Sequence, residues 1–389
     1  MSGRDPFCQP RRIRRGAALT LVFASVLAAG AATGVLPQAD RKSAPDEARS
    51  ARPAGHHAEV ARAAEEAMAD GKSPVEAAQR AVSRSGDRWG AVYSEGEYEE
   101  FEEALDGQYT GVGLWARSER DGRIEVTKVR AGSPAATAGI RPGDLLRSVD
   151  GRETDGLPVT EVVSLLRGDA TDAPAGTTVR LGLERGTRAW TKTLRRAQLS
   201  TDSVTVRETA GPVTVIKVAT FTKDSGAQVR AAVRHAPPGG IVLDLRGNSG
   251  GLVGEAVTTA SAFLDGGLVA TYDVDGAQRA LHAAPGGDTT RPLVVLVDGG
   301  TMSAAELLTG ALQDRGRALV VGSRTFGKGS VQMPSRLPDG SVAELTVGHY
   351  RTPSGRGVDG RGITPDLEAE DEGALQRAES VLRGLAPPS

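Results

Sequence analysis

Cysteine is nearly absent: Cys8 is the one cysteine among 389 residues, and it precedes an apolar N-terminal run. No disulfide can form within the chain, and a cysteine-based metal site lacks ligands. Histidine is also scarce, with five in all, and none stands in the setting a Ser–His–Asp triad needs. Charge of one sign is missing too. The 47 Lys and Arg against 49 Asp and Glu leave a net charge of −2, so no global field favours nucleic acid. No cofactor motif, metal motif or internal repeat is evident, and the expectation is a chain without metal or cofactor. What remains is ordinary for a globular protein: 25% charged and 39% hydrophobic residues. At this length one core is too few, and two or three domains are expected.

The one long apolar run lies at residues 16–36, behind the basic group Arg11, Arg12, Arg14 and Arg15. Residues 1–37 therefore read as a signal peptide or a single-pass membrane anchor. The small residues of Ala28 to Gly34 suit cleavage, and the length of the run suits retention. Either way the arginines keep the start of the chain cytoplasmic and place everything after Pro37 outside it, anchored or secreted.

Residues 38–55 are polar and rich in Ala and Pro, a linker. Residues 56–106 form an N-terminal helical region, in which Pro74 opens a second helix with Val75, Ala78 and Val82 on one face. From 201 to 372, strand-like runs (213–218, 241–245, 293–297 and 318–321) alternate with helical segments near 225–234, 253–264 and 303–314. Such alternation predicts an α/β layered core. Residues 373–389 read as a C-terminal helix and tail.

Two residues in the 201–372 region carry the chemistry. Ser303 follows the apolar run Leu293–Val297 and the glycines Gly299 and Gly300, at a strand-to-helix turn. Lys328 lies between Gly327 and Gly329 on what reads as a strand. Taken alone, Ser303 and Glu306 fit a helix capping box, and Lys328 fits a solvated strand lysine. Taken together they fit a Ser–Lys dyad, in which a neutral amine activates the hydroxyl. Neutrality requires burial, and Gly327, Gly329, Ser330 and Val331 bring no acid beside the lysine.

Four ordered blocks resemble the carboxyl-terminal processing proteases (tail-specific proteases, the S41 peptidase family). They are Leu243 to Gly251 (LDLRGNSGG), Ser303 to Asp314, Gly322 to Gln332 (GSRTFGKGSVQ), and Tyr350 to Arg356 closing with Gly362 to Asp366. The resemblance runs from about Trp89 to Asp366. It implies an α/β multidomain fold whose core is of the ClpP/crotonase type. It implies a serine endopeptidase with Ser303 as nucleophile, Lys328 as base and Gln332 orienting the lysine. Ala304 and the pair Gly250–Gly251 would supply the oxyanion hole, with Gly250 favoured of the two. Thr301 and Met302 depart from the Ser-Ala usual before the nucleophile, and Asp298 stands where Asn is frequent. These changes tune the pocket and leave Ser303 in register.

Residues 107–200 resemble a circularly permuted bacterial PDZ domain. Thr110, Gly111, Val112, Gly113 and Leu114 look like its carboxylate-binding loop. An extended peptide would add to the sheet edge there. The partners implied are proteins or peptides with unstructured apolar C-termini, which the PDZ domain either delivers or gates. The resemblance also admits a homodimer, which no residue decides. Two other readings stay open: an inactive relative serving as a PDZ adaptor, and a trypsin-like protease using Ser249 of Gly247-Asn248-Ser249-Gly250-Gly251.

Overall fold

The computed structural model describes residues 53–119, 121–168, 173–209, 211–274 and 277–385. Residues 1–37, read from the sequence as a signal peptide or anchor, and the stretch read as linker up to residue 52 lie outside the described residues. No helix among those described is long and apolar enough to cross a membrane. The contacts divide the described chain into two units, one of residues 113–166 and 179–194, the other of residues 53–112, 167–178 and 195–385.

The first unit is built on a six-stranded sheet. Its main path runs Leu114–Ser118, Ile124–Val129, Leu145–Val149, Thr178–Arg185, Arg188–Arg195, with Arg152–Glu153 paired to Leu145–Val149. Strand 114–118 is an edge. Two helices, Pro134–Thr137 and Val159–Arg167, complete the unit. Ser133 caps the first by accepting from the Ala136 amide at 3.2 Å. Period-2 burial places Ile124, Val126, Leu146, Val179, Leu181 and Leu183 inside.

The second unit is also built on a six-stranded sheet. Its order is Val204–Glu208, Val213–Val218, Gly240–Asp244, Leu293–Val297, Leu319–Gly322, Leu367–Glu368. The first pair is antiparallel and the rest are parallel. Every residue of Leu293–Val297 is buried, because helices cover both faces. Val295 and Val297 face helices Ser225–His235, Val253–Phe263 and Ala304–Asp314. Val294 and Leu296 face Ala374, Ala378 and Leu382 of the C-terminal helix Asp371–Leu385.

A further sheet in this unit was not expected from the sequence. In it Val342–Arg351 pairs antiparallel with Ala91–Tyr93, Ser330–Arg336 and Leu268–Val274, and the last with Ala277–His282. The N-terminal helices are thereby tied to the layered core. Helices Pro53–Ala69 and Pro74–Ser85 bury Val60, Ala64, Ala78 and Val82 against Leu337, Ala343 and Leu345. The first begins three residues inside the segment read as linker. Ser94 and Glu97 then form a reciprocal capping box that starts helix Glu95–Leu105.

Candidate active site

Leu293–Val297 delivers the chain to a tight loop before helix Ala304–Asp314. The loop is braced by the Asp298 carboxylate, whose Oδ1 accepts from the amides of Gly247 at 2.8 Å and Gly300 at 2.9 Å. Thr301 Oγ1 donates to Leu245 O at 2.9 Å. At its end Ser303 is buried, with φ 56° and ψ −118°. That conformation costs a non-glycine residue about 1–3 kcal/mol and persists only where the surroundings impose it.

The Glu306 carboxylate is the main constraint. It is fully buried. Oε2 accepts from the amides of Ser303 and Lys328, both at 2.9 Å. Oε1 accepts from the Gly327 amide at 2.7 Å and Thr325 Oγ1 at 2.5 Å. The cap expected of Glu306 toward the Ser303 amide is therefore one of four bonds. Tyr350 adds a second tie, its hydroxyl lying 3.0 Å from Ser303 O and 3.2 Å from Lys328 O. Burial pushes the Glu306 carboxyl upward, against its four donors.

Lys328 is not on a strand: the strand begins at Ser330. The amides of Gly327 and Lys328 bond Glu306 instead of a ladder partner. The lysine is fully buried, and its Nζ lies 5.4 Å from the Trp89 ring centroid. Burial lowers its pKa to about 8, opposed by the carboxylates of Glu344, Asp87 and Glu306. The sequence neighbours brought no acid, but the fold brings three. Glu344 is itself fully buried, and neither carboxylate oxygen has a hydrogen-bond partner among the described residues. Burial raises its pKa to about 7.

Gln332 is buried on strand 330–336, past a bulge between Val331 and Gln332. Its Nε2 donates to Ser330 Oγ at 2.7 Å and Thr346 Oγ1 at 3.2 Å.

The glycine loop lies against the Ser303 turn. A Cβ on Gly250 would fall 2.9 Å from Ser303 Cβ, and Gly250 has φ 105°. Only glycine fits. The Gly250 amide donates to Asn248 Oδ1 at 2.8 Å. The amides of Gly251 and Ala304 have no hydrogen-bond partner among the described residues. Ala304 opens its helix, where an unpaired N–H favours an anion. Asp244 sits under this loop. Burial disfavours its charge, but Arg246, at 2.7 Å, and Lys217 hold its pKa low. Ser249, the rival nucleophile, is half-buried in the same loop. His235 bonds Ala231 O of its own helix at 2.8 Å.

A small apolar pocket adjoins Ser303 and Ala304. Val253, Tyr272, Leu281, Leu307 and Val331 make its wall apolar. In the loop read as carboxylate-binding, Thr110 and Gly111 belong to strand Gln108–Gly111, which pairs with Ala197–Ser200. Val112 is buried, Gly113 has φ 79°, and Leu114 opens the edge strand.

Asp87, Trp89, Glu344, Thr346 and Tyr350 were missed as site residues. The only signal for the first two was the resemblance of the segment around Trp89. Tyr350 stood at the head of the fourth block.

Comparison with known proteins agrees with this layout. The model of peptidase family S41 matches residues 212–369, and a PDZ domain model matches residues 125–185. The carboxy-terminal processing protease CtpA of Bacillus subtilis (strain 168) is 33% identical over 276 residues, which are 69% of this chain and 58% of that protein. A probable CtpA-like serine protease of Staphylococcus aureus (strain COL) is 36% identical over 278 residues, 69% of this chain and 54% of that protein. The chain thus spans little more than half the length of these relatives. Among solved structures, the photosystem II D1 C-terminal processing protease matches 84% of this chain and 97% of its own, with 26% identity and a TM-score of 0.50. Residues 212–369 belong to peptidase family S41, and a PDZ domain precedes them in the chain.

Proposed function

We propose that this chain is a serine endopeptidase that cuts protein substrates at or near their C-termini, with Ser303 as nucleophile and Lys328 as base. The observation that carries this reading is the shared grip of Glu306 Oε2 on the amides of Ser303 and Lys328. One carboxylate oxygen thereby ties a strained serine to a buried lysine whose pKa is about 8. A lysine so shifted is substantially neutral at mildly alkaline pH and serves as a general base.

Ser303 Oγ attacks the scissile carbonyl carbon while its proton passes to Lys328 Nζ. The negative oxygen that forms is met by the amides of Ala304 and Gly251. Gly250, which the sequence favoured, keeps its amide on Asn248 and shapes the turn. The Lys328 ammonium then protonates the leaving nitrogen as the C–N bond breaks. Water, deprotonated by the same amine, hydrolyses the acyl-serine. The apolar wall beside Ser303 faces the substrate residue next to the cut. The PDZ edge strand binds or gates the substrate's C-terminus. Placement outside the cytoplasm rests on residues 1–37 alone.

The test is the pH dependence of cleavage with Lys328→Ala as control. Activity should rise through a limb near pH 8, and Lys328→Ala should lose it by at least about 10³-fold. A flat profile from pH 6 to 10, or an active Lys328→Ala, removes the base assignment.

A further inference from the structure

A chain of polar side chains behind Lys328 begins at Asp87, outside the region matched by the family model. Asp87 precedes strand Ala91–Tyr93. Its Oδ1 accepts from the amides of Trp89 at 3.1 Å and Gly90 at 2.9 Å, and its Oδ2 from the Thr346 amide at 2.8 Å. With N–H donors on both oxygens, this carboxylate meets the Thr346 hydroxyl as an acceptor. Thr346 has one hydroxyl proton, and it goes to Asp87 Oδ1 at 2.8 Å. The Thr346 oxygen is then left only to accept, so the Gln332 atom facing it at 3.2 Å must be the donor Nε2. Amide nitrogen and oxygen are told apart by just such a network. Ser330 cannot decide the matter, because its hydroxyl serves either way. The consequence falls on Gln332 Oε1, which is buried and has no hydrogen-bond partner among the described residues. An oriented, unsatisfied acceptor is thus held four residues from Lys328. The lysine's Nζ faces Trp89, whose amide Asp87 holds.

We propose that Asp87, acting through Thr346, is a positioning residue that fixes the Gln332 amide so that its oxygen receives the Lys328 ammonium. This rests on the Ser303–Lys328 reading and adds to it the origin of the Gln332 orientation. The proton moves from Ser303 Oγ to Lys328 Nζ and on to the leaving nitrogen. Gln332 Oε1 accepts one N–H of the ammonium and exchanges no proton. The charged groups facing Lys328 are Glu344 from strand 342–351, Glu306 from helix 304–314 and Asp87 itself. Thr346→Val leaves all three in place, so a change in the lysine's titration would come from the freed amide.

The experiment titrates Lys328 by NMR in the full chain, carrying Ser303→Ala and labelled with 13C at lysine Cε. The signal is assigned by its loss in Lys328→Ala. A hydrogen bond to the ammonium favours the charged form, so freeing the amide lowers the pKa. Thr346→Val should shift Lys328 down by about one pH unit, and Thr346→Ser should restore the parent value. With Ser303 present, Thr346→Val should lower kcat about tenfold, with KM little changed. Thr346→Ala takes its place if valine disturbs the strand. An unchanged Lys328 titration in either variant overturns the proposal. If Lys328→Ala is inactive in that case, the Ser–Lys reading stands and only the role of Asp87 falls. If Lys328→Ala stays active, the Ser–Lys reading itself has failed.

Discussion

Glu306 shows how one buried residue can hold a candidate site together. Its two oxygens gather four donors from Ser303, Thr325, Gly327 and Lys328. Glu306→Gln places an NH2 group against N–H donors and should cost about 3 kcal/mol of stability. Cleavage should fall by at least about 10²-fold, checked by denaturant melts alongside rate assays. Glu344 gives a prediction of opposite sign. Its carboxyl pKa is raised from 4.5 to about 7, so the folded chain loses stability as pH rises through that window. Glu344→Gln should remove that loss and be more stable than the parent at pH 8 but not at pH 4. Removing the anion should also move the alkaline activity limb below pH 8. Melts and rates at both pH values check the pair of claims; a limb displaced upward would contradict them. Ser303 was legible because a serine at a strand-to-helix turn has a sequence pattern. Glu306 was legible only as a cap, because its other donors lie about twenty residues further along the chain.

At the scale of elements, the strand–loop–helix from Leu293 to Asp314 was readable from its apolar run, glycines and helical spacing. The helices at 225–235 and 253–263 fell close to their expected places for the same reason. The sheet around Val342–Arg351 was not readable. Its pairing of Ala91–Tyr93 with Val342, Ala343 and Glu344 is long-range register, which periodicity does not encode. Asp87 and Thr346 are 259 residues apart in sequence. Lys328 was expected on a strand, but Glu306 takes the amides that would have built the ladder. The glycine loop offers the sharpest test at this scale. Gly250→Ala would set a Cβ 2.9 Å from Ser303 Cβ, at φ 105°. Cleavage should drop by about 10²-fold or more while the melting curve shows a chain that is still folded. Gly254→Ala, at a helix position with nothing within 4 Å, should be silent in the same assays.

Across the whole molecule, two units share the work of recognition and cutting in the proposed function. The edge strand Leu114–Ser118 offers main-chain groups to an extended peptide. A peptide with an apolar C-terminus should bind the full-length Ser303→Ala chain at least about tenfold more tightly than its C-terminal amide. Equal binding would remove the carboxylate-loop assignment of residues 110–114. The proposed function stands or falls on the identity of the nucleophile, which cleavage of a denatured reporter bearing an apolar C-terminal tail would test. Wild type, Ser303→Ala and Ser249→Ala would be compared, each lacking residues 1–37. Wild type and Ser249→Ala should cut the reporter and Ser303→Ala should not; cutting by Ser303→Ala at the wild-type rate would show that Ser303 is not the nucleophile.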